Sequence, residues 1–170
     1  MFGGAAAFSS FICETNPTYI RLGPEHASSS ASAARTLLVN AGQPLDDMYK
    51  YVPTPPATRL GLAEATLRWR HMAPSAPDTL WCHPYFAVDP FIIGETPDVY
   101  VIGNQPAFRT KIVEERGEEG EGEGGDKRCR IVLVPGFRET GVLVLVNMRT
   151  LAVKTVQFAV EGMSAGGGET

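Results

Sequence analysis

Proline placement limits the elements that this chain can form. All thirteen prolines lie between Pro17 and Pro135, and nine of them lie between Pro53 and Pro106. Proline lacks a backbone N–H donor and its ring clashes with the preceding helical turn, so a helix interior tolerates it poorly. Long helices are therefore excluded from the middle of the chain.

Two windows predict helices. Residues 57–72 form the one substantial proline-free window of the middle region. Apolar side chains recur there at helical spacing: Leu60, Ala63 and Leu67. Residues 45–51 predict a shorter helix, begun by Asp46 and Asp47, because negative charges suit a helix N-terminus.

Short segments rich in β-branched residues, bounded by Gly, Pro or Asn, predict strands. They are residues 19–22, 36–39, 99–102, 110–113, 129–134, 142–147 and 152–158. The connection from 130–134 to 142–147 is rich in turn residues, which predicts an antiparallel pair closing the chain. Helices interleaved with strands first, and successive strands later, favour an α+β or a layered α/β/β arrangement.

Charge is concentrated in one segment. The formal net charge is −4, but residues 114–126 hold seven of the 19 acids and one base, leaving 12 acids against 14 bases elsewhere. A nearly neutral body excludes a strongly basic nucleic-acid clamp as the principal activity. Repelling charges and five glycines predict a disordered acidic insertion over 114–128 without the spacing of a calcium loop. Residues 161–170 predict a flexible tail.

The cysteines and histidines predict structural roles. Three cysteines, Cys13, Cys82 and Cys129, make an odd count at long spacings, which is typical of small buried thiols in a reducing compartment rather than a disulfide framework or a zinc site. Of the three histidines, His71 is expected to cap carbonyls at the end of the longer helix. The short apolar runs and the absence of a basic leader predict an intracellular soluble protein. The sequence contains no motif that indicates a particular enzymatic reaction.

Three segments carry a recognisable combination. They read LRWRHMAPSAPDTL at 67–80, DPFII at 89–93 and PDVYVIGN at 97–104. The combination resembles the C-terminal part of the small (B) subunits of eukaryotic DNA polymerase delta, within the B-subunit family of DNA polymerases alpha, delta and epsilon. The resemblance runs from about residue 11 to residue 158, and the acidic insertion is not part of the family pattern.

The resemblance implies a fold and a truncation. Its members carry a calcineurin-like phosphoesterase domain, so the chain is expected to form a layered α/β/β sandwich of which only the C-terminal half, residues 11–160, is present. The earlier metal-ligand motifs of the family fold are absent from this sequence.

The same resemblance implies a chemical test. Active phosphoesterases hold two metal ions, and three histidine positions of a related active polymerase subunit correspond here to Ala41, Asn104 and Pro106. Alanine and proline offer no side-chain ligand, and asparagine offers one weak oxygen. No metal, no cofactor and no phosphodiesterase activity are therefore expected.

The implied function is that of a non-catalytic scaffold in the nucleus, in DNA replication and repair synthesis. It would join the C-terminal metal-binding domain of the polymerase delta catalytic subunit to a further accessory subunit, meeting DNA only through the holoenzyme. The predicted partner-binding side chains are Trp81, Tyr85, Phe86 and Phe91. Internal packing of these aromatics is the alternative, and a metal-dependent nuclease or a fragment unable to fold alone are the alternative functions.

Overall fold

A computed structural model describes residues 11–23, 34–85, 87–115 and 127–158. The elements in chain order are β1 (Thr18–Leu22), β2 (Arg35–Asn40), α1 (Gln43–Tyr49), α2 (Arg59–Trp69), β3 (Val99–Gln105), β4 (Arg109–Glu115), β5 (Lys127–Pro135), α3 (Phe137–Thr140), β6 (Val142–Val146) and β7 (Val153–Gln157). Most of the predicted acidic insertion, residues 116–126, and the predicted tail lie outside the described residues.

The central sheet has five strands in the order β1-β2-β3-β5-β4. Strands β2, β3 and β5 run parallel, and β1 and β4 pair antiparallel at the two edges. The predicted pairing of 130–134 with 142–147 is wrong. Both edges of β5 are already occupied by β3 and β4, and α3 with Gly141 at φ 63° leads the chain away, so that β6 pairs with β7 instead.

Alternation along the strands divides the core between the two faces of the sheet. One face carries Tyr100 and Ile131, which pack with α1 and α2 residues such as Leu67. The opposite face carries Val99 and Val132, against which residues of the β6–β7 hairpin pack. A helical layer, the five-stranded sheet and the hairpin thus follow one another, and the α+β prediction is confirmed as a mixed sheet with few helices.

The helices begin and end where local chemistry dictates. The α2 helix starts after Thr58, whose hydroxyl accepts the Gly61 N–H at 3.0 Å, and ends at Arg70, which adopts φ 60°. The α1 helix begins at Gln43, two residues before the predicted start, because Pro44 suits a first turn. Asp47 is consequently not a terminal residue but a buried one.

The two edges of the sheet differ in character. Charged side chains such as Arg109 and Lys111 are exposed along β4, whereas Tyr19, Ile20 and Leu22 are exposed along β1. Charges discourage pairing with a further strand, and an apolar edge invites it. Within the described ranges, every helix is too short or too polar to cross a membrane.

Candidate functional site

Ala41 and Asn104, two of the three positions compared above with metal ligands, meet at the carboxyl ends of β2 and β3. These strands are parallel, with Asn40 opposite Ile102, so the residues that follow them emerge at the same edge of the sheet. The Asn104 Nδ2 group donates to the Ala41 carbonyl at 3.0 Å. Asn104 and Pro106 line one pocket of about 450 Å³, the carboxyl-end pocket, beside Asp46, Arg59 and Gln105.

A tight turn fixes the backbone beside this pocket. Gly42 has φ 98°, and a Cβ there would lie 2.1 Å from the Gly103 carbonyl oxygen, so only glycine fits. The Gly42 N–H donates to Asn40 Oδ1 at 2.9 Å, and the Ala41 N–H donates to Asn16 Oδ1 at 3.0 Å. The main chain at Ala41 is therefore held from both sides.

An arginine of the chain itself occupies the carboxyl-end pocket. The Arg59 guanidinium forms a short ion pair with Asp46, donates to Gln105 Oε1 at 3.0 Å and lies 4.5 Å from the Tyr49 ring centroid. Gln105 is 2% exposed, and its Nε2 group donates to the Gly103 carbonyl at 3.1 Å. The positive charge beside Asp46 in this pocket is therefore that of the Arg59 guanidinium.

The donor groups of this pocket do not fit a two-metal centre. Asp46 is neutralised by Arg59, Asn104 offers one weak amide oxygen, and Glu139 is the other carboxylate in the described lining. A catalytic metal usually takes at least three protein ligands. In the part of the chain that the structure describes, no three His, Cys, Asp or Glu side chains are grouped so as to hold a metal ion.

The predicted partner-binding aromatic side chains differ in how far they are exposed. Trp81 is 79% exposed and Tyr85 is 52% exposed, whereas Phe91 is 9% exposed and belongs to the core. Phe86 lies outside the described residues. Tyr85 meets Phe91 edge to face at 6.5 Å and lines, with Cys82 and His83, an open pocket of about 420 Å³.

A histidine and a carboxylate pin this aromatic segment to the body. His71 Nε2 lies 3.0 Å from Asp89 Oδ2, and the Ala73 N–H donates to His71 Nδ1 at 3.2 Å. Burial opposes the charge on Asp89, but hydrogen bonds from the Phe91 N–H and from His71 outweigh it and lower the pKa of that carboxyl. The His71 ring thus fixes a loop and does not cap helix carbonyls as predicted.

Comparison with known protein families assigns the chain to one of them. The family of DNA polymerase alpha/epsilon B subunits matches residues 1–110, which include α1, α2 and the carboxyl-end pocket up to Pro106. The chain belongs to this family. The B-subunit resemblance inferred from residues 67–104 is thereby confirmed.

Curated relatives extend the match beyond residue 110. The DNA polymerase delta small subunits of Oryza sativa subsp. japonica and Arabidopsis thaliana are each 35% identical to this B-subunit chain, over 94% and 95% of it. That of Saccharomyces cerevisiae is 43% identical over 59% of the chain. The chain spans about a third of the length of the plant relatives, 32% in each case.

Asp47 lies inside the fold and not at the start of a helix, where the sequence predicts it. Asp47 is 5% exposed and accepts hydrogen bonds from Thr79 Oγ1 at 2.6 Å and Ser75 Oγ at 2.7 Å. These two bonds hold the pKa of Asp47 below its usual range despite its burial, and Lys50 adds to the effect. Asp47 therefore ties α1 to the proline-containing turn at 73–80.

The three cysteine thiols differ in burial. Cys129 is fully buried, and burial raises its pKa to about 12. Cys82 is half-buried, and Cys13 is exposed, so the expectation of a buried thiol is wrong for Cys13. Cys13 precedes β1 in an extended segment whose other side chains are largely exposed, which is why the general preference of thiols for the interior does not apply to it.

Proposed function

We propose that this chain is a non-catalytic accessory part of a nuclear DNA polymerase delta, acting in DNA replication and repair synthesis. The observation that carries the proposal is the match to polymerase delta small subunits over 94–95% of the chain. The phosphoesterase-like fold is proposed from the same resemblance. Since the chain spans about a third of these relatives, the role belongs to the larger protein of which such a segment is a part.

The non-catalytic part of the proposal is supported by the carboxyl-end pocket. Arg59 neutralises Asp46 there, and Ala41 and Pro106 offer no ligating side chain. A bound metal would have to displace a guanidinium that also bonds to Gln105. The test is incubation of single-stranded DNA with the purified chain and Mn²⁺. No cleavage is expected, and cleavage that a chelator abolishes would overturn the proposal.

The scaffold part of the proposal assigns a partner surface to Trp81 and Tyr85. Exposed aromatics supply large rigid contact area, and both side chains project from a segment anchored by the His71–Asp89 pair. The proposed partners are the C-terminal metal-binding domain of the catalytic subunit and a further accessory subunit. Phe91 supports this surface from below rather than touching a partner.

Co-purification tests the partner surface. A tagged chain carrying Trp81→Ser is expected to retain less of the catalytic subunit than the unaltered chain. Trp69→Ser is the matched control, because Trp69 is also an exposed tryptophan, at 58%, but belongs to α2 and not to the segment 81–91. Equal retention by the two variants would remove Trp81 from the interface and leave the family assignment untouched.

A further inference from the structure

A second polar pocket lies at the opposite end of the sheet. It has a volume of about 620 Å³, and its charged lining comprises two acids, Glu95 and Asp98, and five bases. The bases are Arg21, Arg35, Lys127, Arg128 and Arg149. The described residues that line this amino-end pocket carry a formal net charge of +3, in a chain whose formal charge is −4.

Parallel strand order gathers these bases. Arg35 begins β2 and Lys127 begins β5, and the amino ends of parallel strands share one edge of a sheet. Arg21 of antiparallel β1 lies opposite Thr36 and so joins the same edge. Arg149 comes from the turn between β6 and β7.

Two arginines fasten that turn to the sheet. Arg35 Nε donates to the Met148 carbonyl at 3.1 Å, and Arg130 Nε donates to the Leu151 carbonyl at 2.8 Å. Asp98 accepts from Arg35 Nη1 at 2.5 Å and from the Thr36 N–H at 2.8 Å, which holds Arg35 in place. The wall of the pocket is thus built by hydrogen bonds between distant segments.

Three of the five bases remain available for a ligand. Arg35 is paired with Asp98, and Arg128 is paired with Glu114 at 3.3 Å. Arg21, Lys127 and Arg149 are exposed and make no side-chain ion pair with any residue that the structure describes. Uncompensated cations around a polar concavity attract an anion.

We propose that the amino-end pocket binds phosphate groups of a nucleic-acid strand. Arginine presents a planar fork that matches phosphate oxygens, and backbone contacts of this kind need charge and hydrogen bonds alone. None of the described residues lining the pocket is aromatic, which disfavours both base stacking and an acidic protein segment, since protein interfaces concentrate aromatic side chains. Binding is therefore independent of base sequence.

The inference goes beyond the scaffold role because it gives this chain its own contact with DNA, and it rests on the proposed function only for the presence of DNA nearby. Three phosphate contacts to a single strand correspond to a salt slope of about −2, or about a twentyfold loss of affinity between 50 and 200 mM salt.

Fluorescence anisotropy with a labelled single-stranded oligonucleotide of mixed sequence tests the proposal on the full chain. The double variant Arg21→Glu, Arg149→Glu is expected to bind at least about twentyfold more weakly at 100 mM salt, with a slope near −0.7. The control Arg109→Glu, Arg138→Glu makes the same change in net charge at exposed positions outside the pocket, and is expected to retain most of the affinity.

Thermal melts followed by circular dichroism show whether each variant is folded, and the neutral pair Arg21→Gln, Arg149→Gln replaces the reversal if that variant unfolds. Equal losses in the pocket and control variants, or no binding by the folded unaltered chain at 50 mM salt, would overturn the proposal. Competition by polyglutamate as strong as by unlabelled DNA would also overturn it and assign an acidic protein as the ligand. Retention of the catalytic subunit is measured separately by co-purification. Failure of the scaffold role would therefore appear as lost retention, whereas failure of the phosphate-binding proposal would appear as unchanged DNA affinity in the pocket variant.

Discussion

At the scale of single residues, Arg59 determines the character of the carboxyl-end pocket. Its guanidinium joins α2 to Asp46 of α1 and to Gln105 of β3. The contact with Gln105 carries particular weight, because that side chain is buried and a buried acceptor that loses its partner is costly.

Replacing Arg59 by alanine is expected to lower the free energy of unfolding by about 1–3 kcal/mol, the cost of an unsatisfied buried polar group. Urea unfolding followed by circular dichroism measures it. Arg68→Ala is the control, since Arg68 makes an exposed pair with Glu64 one helical turn away and is expected to cost less than about 0.5 kcal/mol. Equal losses for the two variants would show that the contact with Gln105 adds nothing.

Thiol reactivity provides a second test at this scale. Alkylation requires the thiolate, and the Cys129 thiol combines full burial with a pKa of about 12. In the folded chain at pH 8, iodoacetamide is expected to modify Cys13 and to leave Cys129 unmodified, as read by peptide mass spectrometry. Full denaturant should make all three cysteines react. Rapid modification of Cys129 without denaturant would place it at the surface.

Sequence reasoning reached some of these residues and missed others. The family resemblance singles out Ala41 and Asn104, and the structure joins them by a hydrogen bond. The sequence does not mark Arg59 and Gln105 as site residues, because an arginine at a helix start and a glutamine at a strand end are ordinary there. Only the packing of α2 against the strand ends brings the two together.

At the scale of elements, Asp47 shows how one buried carboxylate holds two segments together. Its Oδ2 atom accepts hydrogen bonds from both Ser75 and Thr79, in a stretch that has no regular secondary structure of its own. Irregular backbone is ordered only where specific contacts offset its conformational entropy.

The lowered pKa of Asp47 makes this tie depend on pH. Because the folded-state pKa lies below the unfolded one, the stabilisation is complete above about pH 4 and is lost as pH falls through the folded value. Asp47→Asn is therefore expected to reduce stability by about 1–2 kcal/mol at pH 7, and the difference from the unaltered chain should shrink below about pH 4. Thermal melts between pH 3 and pH 8 measure it.

Asp78→Asn is the matched control for that experiment, because Asp78 is exposed in the same turn and makes no hydrogen bond to another described residue. It should change stability little at any pH. A penalty for Asp47→Asn that grows as pH falls would contradict the assigned direction of the pKa shift.

Strands could be located from the sequence, but their partners could not. Residues 99–102 and 129–134 were recognised by β-branched composition, and both lie within strands of the sheet. Their parallel pairing, with Val101 opposite Val132, joins segments that are distant in sequence. Local pattern carries no register between such segments, and for this reason the nearest following strand was wrongly chosen as the partner of β5.

At the scale of the whole molecule, the acidic segment 116–126 separates two strands that already pair. Glu115 of β4 lies opposite Lys127 of β5, so the hairpin closes where the undescribed segment 116–126 begins and ends. Removing residues 118–125 takes out four glutamates and no bases, which moves the formal charge from −4 to 0. Three residues would remain, a length that antiparallel hairpins accept.

This deletion is expected to leave the fold intact and to raise stability by at most about 1 kcal/mol, since a shorter loop costs less entropy to close. A thermal melt compares the two chains. Loss of a cooperative transition, or loss of partner retention, would mean that the acidic segment contributes to the fold or to the interface.

Assembly of the amino-end pocket explains why overall composition concealed it. Its bases come from β1, β2, β5 and the β6–β7 turn, and in the sequence each stands apart from most of the others. A near-neutral body excluded a clamp that acts through total charge, but it carried no information about charges that only the sheet brings together.

The unequal edges of the sheet have a consequence for the chain when it is produced alone. Within the five-stranded sheet, a further strand can join at the β1 edge, where apolar side chains outnumber the single cation Arg21, but is discouraged at the charged β4 edge. Two copies that meet through β1 use up the receptive edges of both five-stranded sheets, and a twofold pair of this kind is closed. Overproduction of the isolated chain should therefore yield discrete dimers rather than open-ended fibres.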